Sequence, residues 1–550
     1  MKHLEFKRLL AGFLSVVMLF GTLSLGVLAA DDTDAIQPAA DATADADRKS
    51  TQTNKHSSLD RVTEILSSLD YNEYLAQYPD AKAATTKIVI DSADYLTDAD
   101  KTTAQVELGT YGNRKDVLYV GASGYITYRF EVQNEGLYTL SFDYLTTEDS
   151  TADIERVLYL DGKVPFSEAR YLTIHRIWDD EYQYDENGNV VFEKDSTGSD
   201  LRPGKKQIFE WSNYRMVDST GYVTSDLSLY LTKGTHEIRL ESTRDPIVMD
   251  DITLGYSEKL RSYAEVEKEY ERKGYQQAPE DAEVRIHAEK PYRTSTNTIT
   301  ATYDRTSAIT DPQHYSQIRY NTIGNASTWN KVGTWVEWQF EVDQAGLYNI
   351  YTRFRQNVSV DMFTSRSLTI DGETPFEEAK SIRFPYKDDW QVQALGYTDD
   401  TGEYHTFQFY FEPGHTYTIR LEAALGDMAE LTSAIQETVT PLNNIYLKIL
   451  QITGAQPDQY QDYKFMDLIP DYMDMMVYQS NRIIDVMIRF AKINGYYDIA
   501  EKAQKAKDNG EKVDTDAFAK MSGISTLTEL ANLLWKMGTD EDEIAKGFAT

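Results

Sequence analysis

The stretch "LYLDGKVPFSEA" (158–169) returns as "LTIDGETPFEEA" (368–379). The shift is 210 positions without a gap, and Asp, Gly, Pro, Phe, Glu and Ala recur in register. Self-similarity at a fixed spacing indicates an internal repeat. In each copy the Asp-Gly pair predicts a tight turn that reverses a strand. The following Pro-Phe pair predicts the start of the next segment, with its ring filling a core. We therefore expect the repeated residues to determine folding.

The segments between these motifs have the period of β-strands. In "GYITYRFEVQNEGLYTLSFDYL" (124–145) large apolar and polar residues alternate on both sides of a turn, which predicts two half-buried strands. The same pattern returns 210 positions later in "GTWVEWQFEVDQAGLYNIYTRF" (333–354), where Phe340 corresponds to Phe130. Each copy therefore predicts one all-β sandwich module.

The offset between the copies then changes. "HEIRLE" (236–241) matches "YTIRLE" (417–422) at a shift of 181, so the first copy contains an insertion of about 29 residues. The inserted stretch lies within residues 180–211, and its Asn187-Gly188 pair predicts an extra hairpin.

After Leu421 the apolar residues recur three or four apart, which predicts helices. Pro441 is expected to kink or divide the first of them. The predicted fold class is multidomain, with two tandem all-β sandwich modules followed by an α-helical bundle. The expected divisions are a signal peptide (1–30), a disordered acidic linker (31–58), an N-terminal helix and connector (59–85), a first β-sandwich (86–256), a charged helical linker (257–282), a second β-sandwich (283–423) and an α-helical bundle or spacer (424–550).

The N-terminus predicts export. A basic start is followed by an apolar run over residues 9–28 and by the small residues Ala29 and Ala30, the pattern of a secretory signal. An uncleaved membrane anchor is the alternative, because the run is about long enough to span a bilayer. The chain contains no cysteine, which excludes disulfides and a lipid-modified cysteine. We expect a bacterial protein that is secreted or held at the cell surface.

The charge balance argues against two kinds of partner. The chain has 55 Lys+Arg against 89 Asp+Glu, a formal net charge of −34. Nucleic-acid phosphates and anionic lipids would repel such a chain. We therefore expect neither nucleic-acid binding nor binding to anionic membranes.

No recognised catalytic motif occurs in the sequence. The nucleophile elbow, the H-E-x-x-H zinc motif, the phosphate-binding loops and cysteine-based sites are all missing. Paired carboxylates are common in so acidic a chain, and the separation that a glycosidase needs cannot be read from spacing. We expect a protein that is not an enzyme.

Tryptophans beside paired acids are the candidate ligand site. An aromatic ring covers the C–H face of a sugar while carboxylates accept hydrogen bonds from its hydroxyls. Trp335 alternates with outward residues, whereas Trp338 alternates with inward ones and is assigned to the core. Packing against the sheet is the alternative for these rings. The candidate carbohydrate-binding residues are Trp178, Asp179, Asp180, Trp335, Asp388, Asp389 and Trp390.

"IVIDSADYL" near residue 90, "VRIHAEKPY" near residue 285 and "IRLESTRDPIVMDDITL" (238–254) resemble the opening and closing strands of carbohydrate-binding modules of the galactose-binding-like jelly-roll type. Such modules often hold calcium between acids of the opening strand and a late Asp. The resemblance implies Asp91, Glu289 and Asp251 as the corresponding acids. Each copy keeps one acid of the opening pair, so we expect no cofactor, with calcium as the alternative.

The whole arrangement resembles the N-terminal half of large bacterial extracellular solute-binding proteins that serve sugar ABC importers. "DGKVPFSEA", "DRTSAITDP" and "IRLEAALGDMAEL" are among the stretches that carry this resemblance. It implies a secreted glycan-binding protein whose partners are an oligo- or polysaccharide and either an ABC transporter permease or a C-terminal solute-binding domain outside this chain. The alternatives are the accessory portion of a glycoside hydrolase and a cell-surface adhesion module.

Overall fold

The computed structural model describes residues 69–147, 150–256, 259–313, 316–399, 401–454, 463–521 and 523–539. The predicted signal peptide and acidic linker, and most of the helix expected from residue 59, lie outside the described residues. Of the described residues, those from 69 to 429 belong to one compact unit, and those from Glu430 onward belong to another. The predicted fold class, β-sandwich modules followed by helices, is confirmed.

The first module, residues 69–256, is a two-sheet sandwich. Its elements are helix α1 (Tyr71–Ala76) and strands β1 (Ile88–Ile90), β2 (Val106–Tyr111), β3 (Arg114–Val120), β4 (Gly124–Val132), β5 (Gly136–Leu145), β6 (Ile154–Leu160), β7 (Leu172–Ile174), β8 (Ile177–Asp180), β9 (Gln183–Tyr184), β10 (Val190–Val191), β11 (Lys205–Ile208), β12 (Ser212–Arg215), β13 (Ser228–Leu231), β14 (Gly234–Arg244) and β15 (Ile247–Gly255). One sheet has the order β12-β5-β15-β3-β2, and the other has β4-β14-β6-β7. Side chains of both sheets form a single core, which includes Tyr128, Leu140 and Leu158.

The second module, residues 259–424, repeats this plan with shorter strands. Its elements are helix α2 (Tyr263–Lys273) and strands β16 (Arg293–Thr294), β17 (Ala301–Thr302), β18 (Thr322–Ile323), β19 (Trp335–Phe340), β20 (Gly346–Tyr348), β21 (Tyr351–Phe354), β22 (Phe363–Ile370), β23 (Ile382–Pro385), β24 (Gln391–Ala394), β25 (Gly396–Thr398), β26 (Tyr404–Thr406), β27 (Phe409–Phe411) and β28 (Tyr417–Ala424). The order β16-β19-β28-β22-β23 forms the larger sheet, and β20-β27 and β21-β24 form two pairs. Trp338 is buried in the core of this module, as predicted.

The repeated motif forms the same structure twice. Asp161 and Gly162 have φ values of 50° and 84°, and Asp371 and Gly372 have 51° and 83°. Two consecutive positive φ values are what a tight hairpin turn requires, so the predicted turns are confirmed. The Phe of each Pro-Phe pair is fully buried, as predicted, and is followed by one turn of 3₁₀ helix (Ser167–Arg170 and Glu377–Lys380).

In each module a helix precedes the strands and packs on the buried Phe of the Pro-Phe pair. The ring centroid of Tyr71 on α1 lies 5.0 Å from that of Phe166, and Tyr263 on α2 lies 4.9 Å from Phe376. The segment 257–282, expected to be a linker, therefore contributes a helix to the core of the second module. In both modules this tyrosine covers the end of the sandwich where the Pro-Phe pair sits.

The insertion in the first copy joins the two modules. The predicted hairpin at Asn187-Gly188 is present as β9 and β10. The flanking strands β8 and β11 instead extend the larger sheet of the second module, giving the order β11-β8-β16-β19-β28-β22-β23. Residues of the first copy thus supply two strands to a sheet of the second.

Among the residues that the structure describes, the second module has no counterpart of β15 or of the opening strand of the first. In the first, β14 turns directly into β15, which lies in the middle of its sheet. In the second, the chain passes from β28 into helix α3 (Met428–Thr453). The prediction of an opening strand near residue 285 is wrong, because residues 283–288 form no strand.

The unit from Glu430 onward is helical. Besides α3 it contains α4 (Phe465–Leu468), α5 (Tyr472–Ile493), α6 (Tyr497–Asp508) and α7 (Ser525–Thr539). Pro441 lies inside α3 and does not divide it. The last residues of the expected bundle, 540–550, lie outside the described residues. Within the part of the chain that the structure describes, we find no helix of sufficient length and apolarity to cross a membrane.

Candidate functional site

Trp178, one of the predicted aromatic platforms, lies inside the protein. It is 8% exposed, and its neighbours across the sheet are Gln207 on β11 and Thr294 on β16. The strand that carries it therefore lies between two others. The ring presents little surface to a ligand, which agrees with the packing alternative.

Asp180 on the same strand forms a buried ion pair. Its carboxylate lies 3.2 Å from Nζ of Lys205, and both side chains are almost fully buried. The ammonium also donates a hydrogen bond to Oγ1 of Thr294 in the second module (3.1 Å). Burial raises the pKa of Asp180 and lowers the pKa of Lys205, and the attraction between the two groups partly offsets each shift. The pair lies within the first copy, and the hydrogen bond to Thr294 links it to the second module, whereas Asp179 is half-exposed and lies 3.8 Å from Lys206.

Trp335 was expected to face solvent, and that expectation is wrong. It is 6% exposed, with the guanidinium carbon of Arg420 4.1 Å from the ring centroid. Arg420 is itself held by Glu337 at 2.6 Å. Alternation tells on which side of a strand a residue lies, but on β19 both sides are covered over residues 335–338.

Strand register identifies a different counterpart for Trp390. Ser212 pairs with Tyr144 in the first module, and Gln391 pairs with Phe354 in the second. Tyr144 and Phe354 are 210 positions apart, so Ser212 corresponds to Gln391. The residues before them, Trp211 and Trp390, therefore occupy the same place in the two modules. Both indoles are half-buried.

In the first module, Trp211 is held by its indole nitrogen and by an arginine. Its Nε1 donates to the carbonyl oxygen of Tyr111 (3.3 Å). The guanidinium carbon of Arg114 lies 4.5 Å from the ring centroid, and Nη1 of that arginine lies 2.7 Å from both Asp143 and Asp250. Below the ring is a small apolar cluster of Val117, Leu145 and Val248, with Tyr111 and Tyr119 beside it.

In the second module, Trp390 has equivalent partners. Its Nε1 donates to Oδ1 of Asp304 (2.8 Å). The guanidinium carbons of Arg353 and Arg355 lie 4.4 and 5.8 Å from the ring centroid. Arg355 pairs with Asp304 at 3.3 Å. Each tryptophan is thus surrounded by a guanidinium and a carboxylate, and we call these two groups the Trp211 site and the Trp390 site.

Apolar side chains extend the Trp390 site along β21 and β24. Arg353 is paired with Val392 and Tyr351 with Ala394 in the ladder, so these residues share the side of the strands that faces away from the core. Tyr351 is 66% exposed and Val392 is 60% exposed. The Trp390 site therefore includes an open surface with both apolar and charged groups.

The arginine that contacts the indole comes from different strands in the two sites. It lies on β3 in the Trp211 site (Arg114) and on β21 in the Trp390 site (Arg353). Asp143 and Arg353 are 210 positions apart and so correspond. Desolvation lowers the pKa of Arg114, but the hydrogen bonds that it donates to Asp143 and Asp250 outweigh this effect and raise that pKa overall. Burial lowers the pKa of Arg353, which the charge of Asp304 only partly offsets. The arginine of the first module is fully compensated, and that of the second is not.

The other predicted acids lie apart from these rings or on the surface. Asp388 and Asp389 are exposed, and Asp388 accepts a hydrogen bond from the hydroxyl of Tyr386 (2.7 Å). Trp211 was missed because its counterpart was sought at the shift of 210. A shift of 179, two residues less than the shift of 181 between "HEIRLE" and "YTIRLE", aligns Glu210-Trp211 with Asp389-Trp390 and is visible in the sequence.

The acids implied for calcium do not fit that ion. Asp91 accepts the N–H of Ala93 (2.8 Å), and Asp251 accepts the N–H of Ser92 (3.1 Å). In the second module burial raises the pKa of Glu289, whose carboxylate lies 3.2 Å from Nδ1 of His287. Calcium takes about six to eight oxygen ligands, and neither set approaches that number.

Three possible metal ligands do meet in the second module. Among the described residues, ligand atoms of Asp399, Glu403 and His405 lie within 4.8 Å of one another. Hydrogen bonds account for this grouping: Asp399 accepts the N–H groups of Thr401 and Glu403 (both 2.9 Å) and pairs with His405 (2.9 Å). The cluster is the ordinary closure of the β25–β26 turn.

Comparison with known proteins gives a limited likeness. Neither a protein-family model nor a curated protein matches the sequence. A GH26-CBM35 β-(1,4)-mannanase from Podospora anserina is similar at 16% identity and a TM-score of 0.17, over 36% of this chain and 38% of that one. A family 35 carbohydrate-binding module from Clostridium thermocellum is similar at 14% identity and a TM-score of 0.17, over 32% of this chain and 100% of that one. The CBM35 of Abf62 from Cellvibrio japonicus is similar at 10% identity and a TM-score of 0.18, over 31% of this chain and 95% of that one.

The present chain thus spans well under half the length of the mannanase. Scores of this size carry no argument about activity or ligand. The assignment of two β-sandwich modules rests on the strand pairing described above.

Proposed function

We propose that the protein is a non-catalytic glycan-binding protein and that the Trp211 and Trp390 sites are its two saccharide sites. The observation that carries the proposal is that an indole recurs in the same register position of both modules, each time with a guanidinium over its ring and a carboxylate nearby. Aromatic and aliphatic groups cover the C–H patches of a pyranose, while charged groups exchange hydrogen bonds with its hydroxyls.

The openness of both sites predicts modest affinity. Each indole lies on the surface of a sheet rather than between closing lobes, so a bound sugar stays partly hydrated. We expect dissociation constants in the micromolar-to-millimolar range, equivalent to about −4 to −8 kcal/mol. Such affinity suits the capture of long or repeated chains, because several weak contacts then act together.

Alanine substitution of the two tryptophans tests this function. Glycan-array binding by the parent protein identifies a ligand, and calorimetry then counts its sites. Trp211→Ala and Trp390→Ala should each remove one site, and the double variant should remove both. Tyr184→Ala is the matched control, because Tyr184 is an exposed aromatic residue of the inserted hairpin. Unchanged binding by a double variant that retains the parent melting temperature would refute the proposal.

The wider role we propose is in an exported sugar-uptake system, with an ABC permease or a separate solute-binding domain as partner. The charged, apolar and small-residue pattern of the N-terminus and the resemblance of the motifs to importer proteins support it. Mass spectrometry of the exported protein should show loss of about 29–30 residues. The gene sequence downstream should encode an α/β solute-binding domain, whereas a (β/α)₈ pattern would favour an accessory role in a glycoside hydrolase.

We also propose that the chain neither cleaves glycans nor needs a cofactor. A catalytic pair needs two carboxyls at a fixed separation across one cleft, and the acids at both tryptophan sites are engaged with arginines. A reducing-sugar assay should detect no product. Treatment with a chelator should leave glycan binding unchanged.

A further inference from the structure

The β21 strand of the second module has an open edge. In the first module, β5 pairs with β12 on one side and with β15 on the other, from Val248↔Leu145 to Gly255↔Thr139. In the second, β21 pairs with β24 on the side that corresponds to β12. Within the described ranges no strand pairs with the side that corresponds to β15.

The core beneath this edge is correspondingly uncovered. Three inward side chains of β5 are at most 6% exposed: Leu140, Phe142 and Tyr144. Their counterparts in the second module are half-exposed: Ile350, Thr352 and Phe354. In the first module Ile252 and Leu254 of β15 are fully buried in the shared core. The second module therefore lacks the apolar side chains that one further strand would supply.

The charge at this edge indicates which kind of residue a strand in the place of β15 would have. Asp143 and Asp250 of the first module approach the same nitrogen of Arg114, each at 2.7 Å, so the position of Asp250 on β15 is close to that of Asp143. In the second module Arg353 takes the place of Asp143. Nη2 of Arg353 donates a hydrogen bond to Oγ1 of Thr310 (2.7 Å). In the described part of the chain Arg353 forms no ion pair, and its buried Nε has no hydrogen-bond partner. An acid at the place of Asp250 would lie beside it.

We propose that the open edge of β21 binds an extended polypeptide strand in antiparallel register, with apolar residues toward the core and an acidic residue toward Arg353. Main-chain hydrogen bonds to a sheet edge supply affinity, and the alternating side chains supply specificity. The strand has the pattern of β15, "IVMDDITLG" (247–255). Its binding completes the second sandwich as β15 completes the first.

Hydrogen exchange tests the open edge directly. In the intact protein, amides of residues 349–355 should exchange at least tenfold faster than those of 139–145, the matched segment that β15 covers. An acetylated synthetic peptide with the sequence of residues 247–255 should slow exchange at 349–355 and leave 139–145 unchanged. Equal protection of the two segments before peptide is added would overturn the proposal.

A charge exchange tests the recognition of the acid. We expect fluorescence anisotropy to show at least tenfold weaker binding when both Asp residues of the labelled peptide are replaced by Lys. Arg353→Glu should reverse this preference, whereas Arg114→Gln in the first module should leave peptide affinity unchanged. The melting temperature of each variant verifies folding. Equal affinity for the acidic and basic peptides contradicts the assignment.

A second copy of the chain is the competing occupant. If it pairs along the edge, protection at 349–355 will rise with protein concentration in the absence of peptide, and sedimentation will show a dimer. That result would overturn the proposal, whereas a monomer with concentration-independent exchange supports it. Glycan binding is measured separately, so failure of the peptide experiment leaves the proposed function standing.

Discussion

The first module closes its sandwich with its own chain, whereas the second is completed at one edge by its neighbour and left open at another. β15 lies in the middle of a sheet of the first module. The larger sheet of the second module gains β8 and β11 from the first copy, and β21 of the second module lacks a counterpart of β15 among the described residues. Both modules of the duplicated sandwich thus keep the buried Phe of the Pro-Phe pair, whereas the strands that pair at their sheet edges differ.

The largest effect should come from the feature that the modules share. Phe166→Ala and Phe376→Ala should each lower the free energy of unfolding by roughly 3–5 kcal/mol, the usual cost of deleting a fully buried aromatic ring. Both rings are completely buried. Chemical denaturation of the two single variants measures the loss.

A second pair of phenylalanines provides the contrast. Phe130 is 7% exposed, but its counterpart Phe340 is half-exposed. The sequence alone predicts equal losses for these two, whereas the structure predicts a smaller loss for Phe340→Ala. Equal losses at 130 and 340 would mean that the second core is as closed as the first.

The next effect concerns the buried ion pair of Asp180 and Lys205, whose ammonium also contacts Thr294 of the second module. Lys205→Met should destabilise the protein by roughly 3 kcal/mol, because it leaves the buried carboxylate of Asp180 without its countercharge. Lys206→Met is the control, since Lys206 is half-exposed and lies 3.8 Å from Asp179. Thermal and denaturant unfolding of both variants decide the matter. An unchanged stability in Lys205→Met would show that the buried ion pair does not stabilise the protein.

Smaller and equal effects are expected at the two helices. The hydroxyl of Tyr71 accepts the N–H of Ser228 (2.9 Å), and that of Tyr263 accepts the N–H of Gln408 (2.8 Å). Burial raises the pKa of Tyr263 to about 12. Substitution of either tyrosine by Phe should cost about 1–2 kcal/mol, because it leaves a buried amide unsatisfied.

Equivalent losses at positions 71 and 263 support the view that α2 belongs to the second module as α1 belongs to the first. A loss at Tyr71→Phe with none at Tyr263→Phe would return residues 257–282 to the role of a linker. Denaturant unfolding with the wild-type protein as reference measures both.

The smallest effect is a pH dependence that occurs in the second module. The hydrogen bond with Asp399 raises the pKa of His405, and hydrogen bonds from Thr401 and His405 lower the pKa of Asp399. The contribution of His405 is complete below its unfolded pKa of about 6.5 and is lost as the pH rises through the folded pKa. That of Asp399 is present above about 3.8 and is lost as the pH falls through its folded pKa.

The β25–β26 hairpin should therefore be most stable between about pH 4 and pH 6.5. An NMR titration of the His405 imidazole should give a midpoint above 6.5 that falls in Asp399→Asn. An unchanged midpoint in that variant would show that the pair does not form in solution.

The candidate site shows where prediction from the sequence succeeds and where it stops. Trp390 was identified because a half-exposed indole beside acids is a local pattern. Trp178 was paired with it because both lie next to two Asp residues, yet Trp178 lies on β8, in a sheet shared by the two modules, whereas Trp390 lies beside β24. Trp211 can be identified as the counterpart of Trp390 only when the strand pairing is known. The register of β12 with β5 and of β24 with β21 aligns the two residues.

The sequence by itself determined the duplication, the Asp-Gly turns, the buried Pro-Phe motifs and the change from strands to helices. These depend on local backbone preferences and on side-chain period, which neighbouring residues specify. Only the tertiary structure decided what covers each strand. Trp335 is buried although it alternates outward, and Ile350 and Phe354 stay half-exposed although they alternate inward. Covering a strand depends on residues far away in the chain, and the period of a single strand carries no information about them.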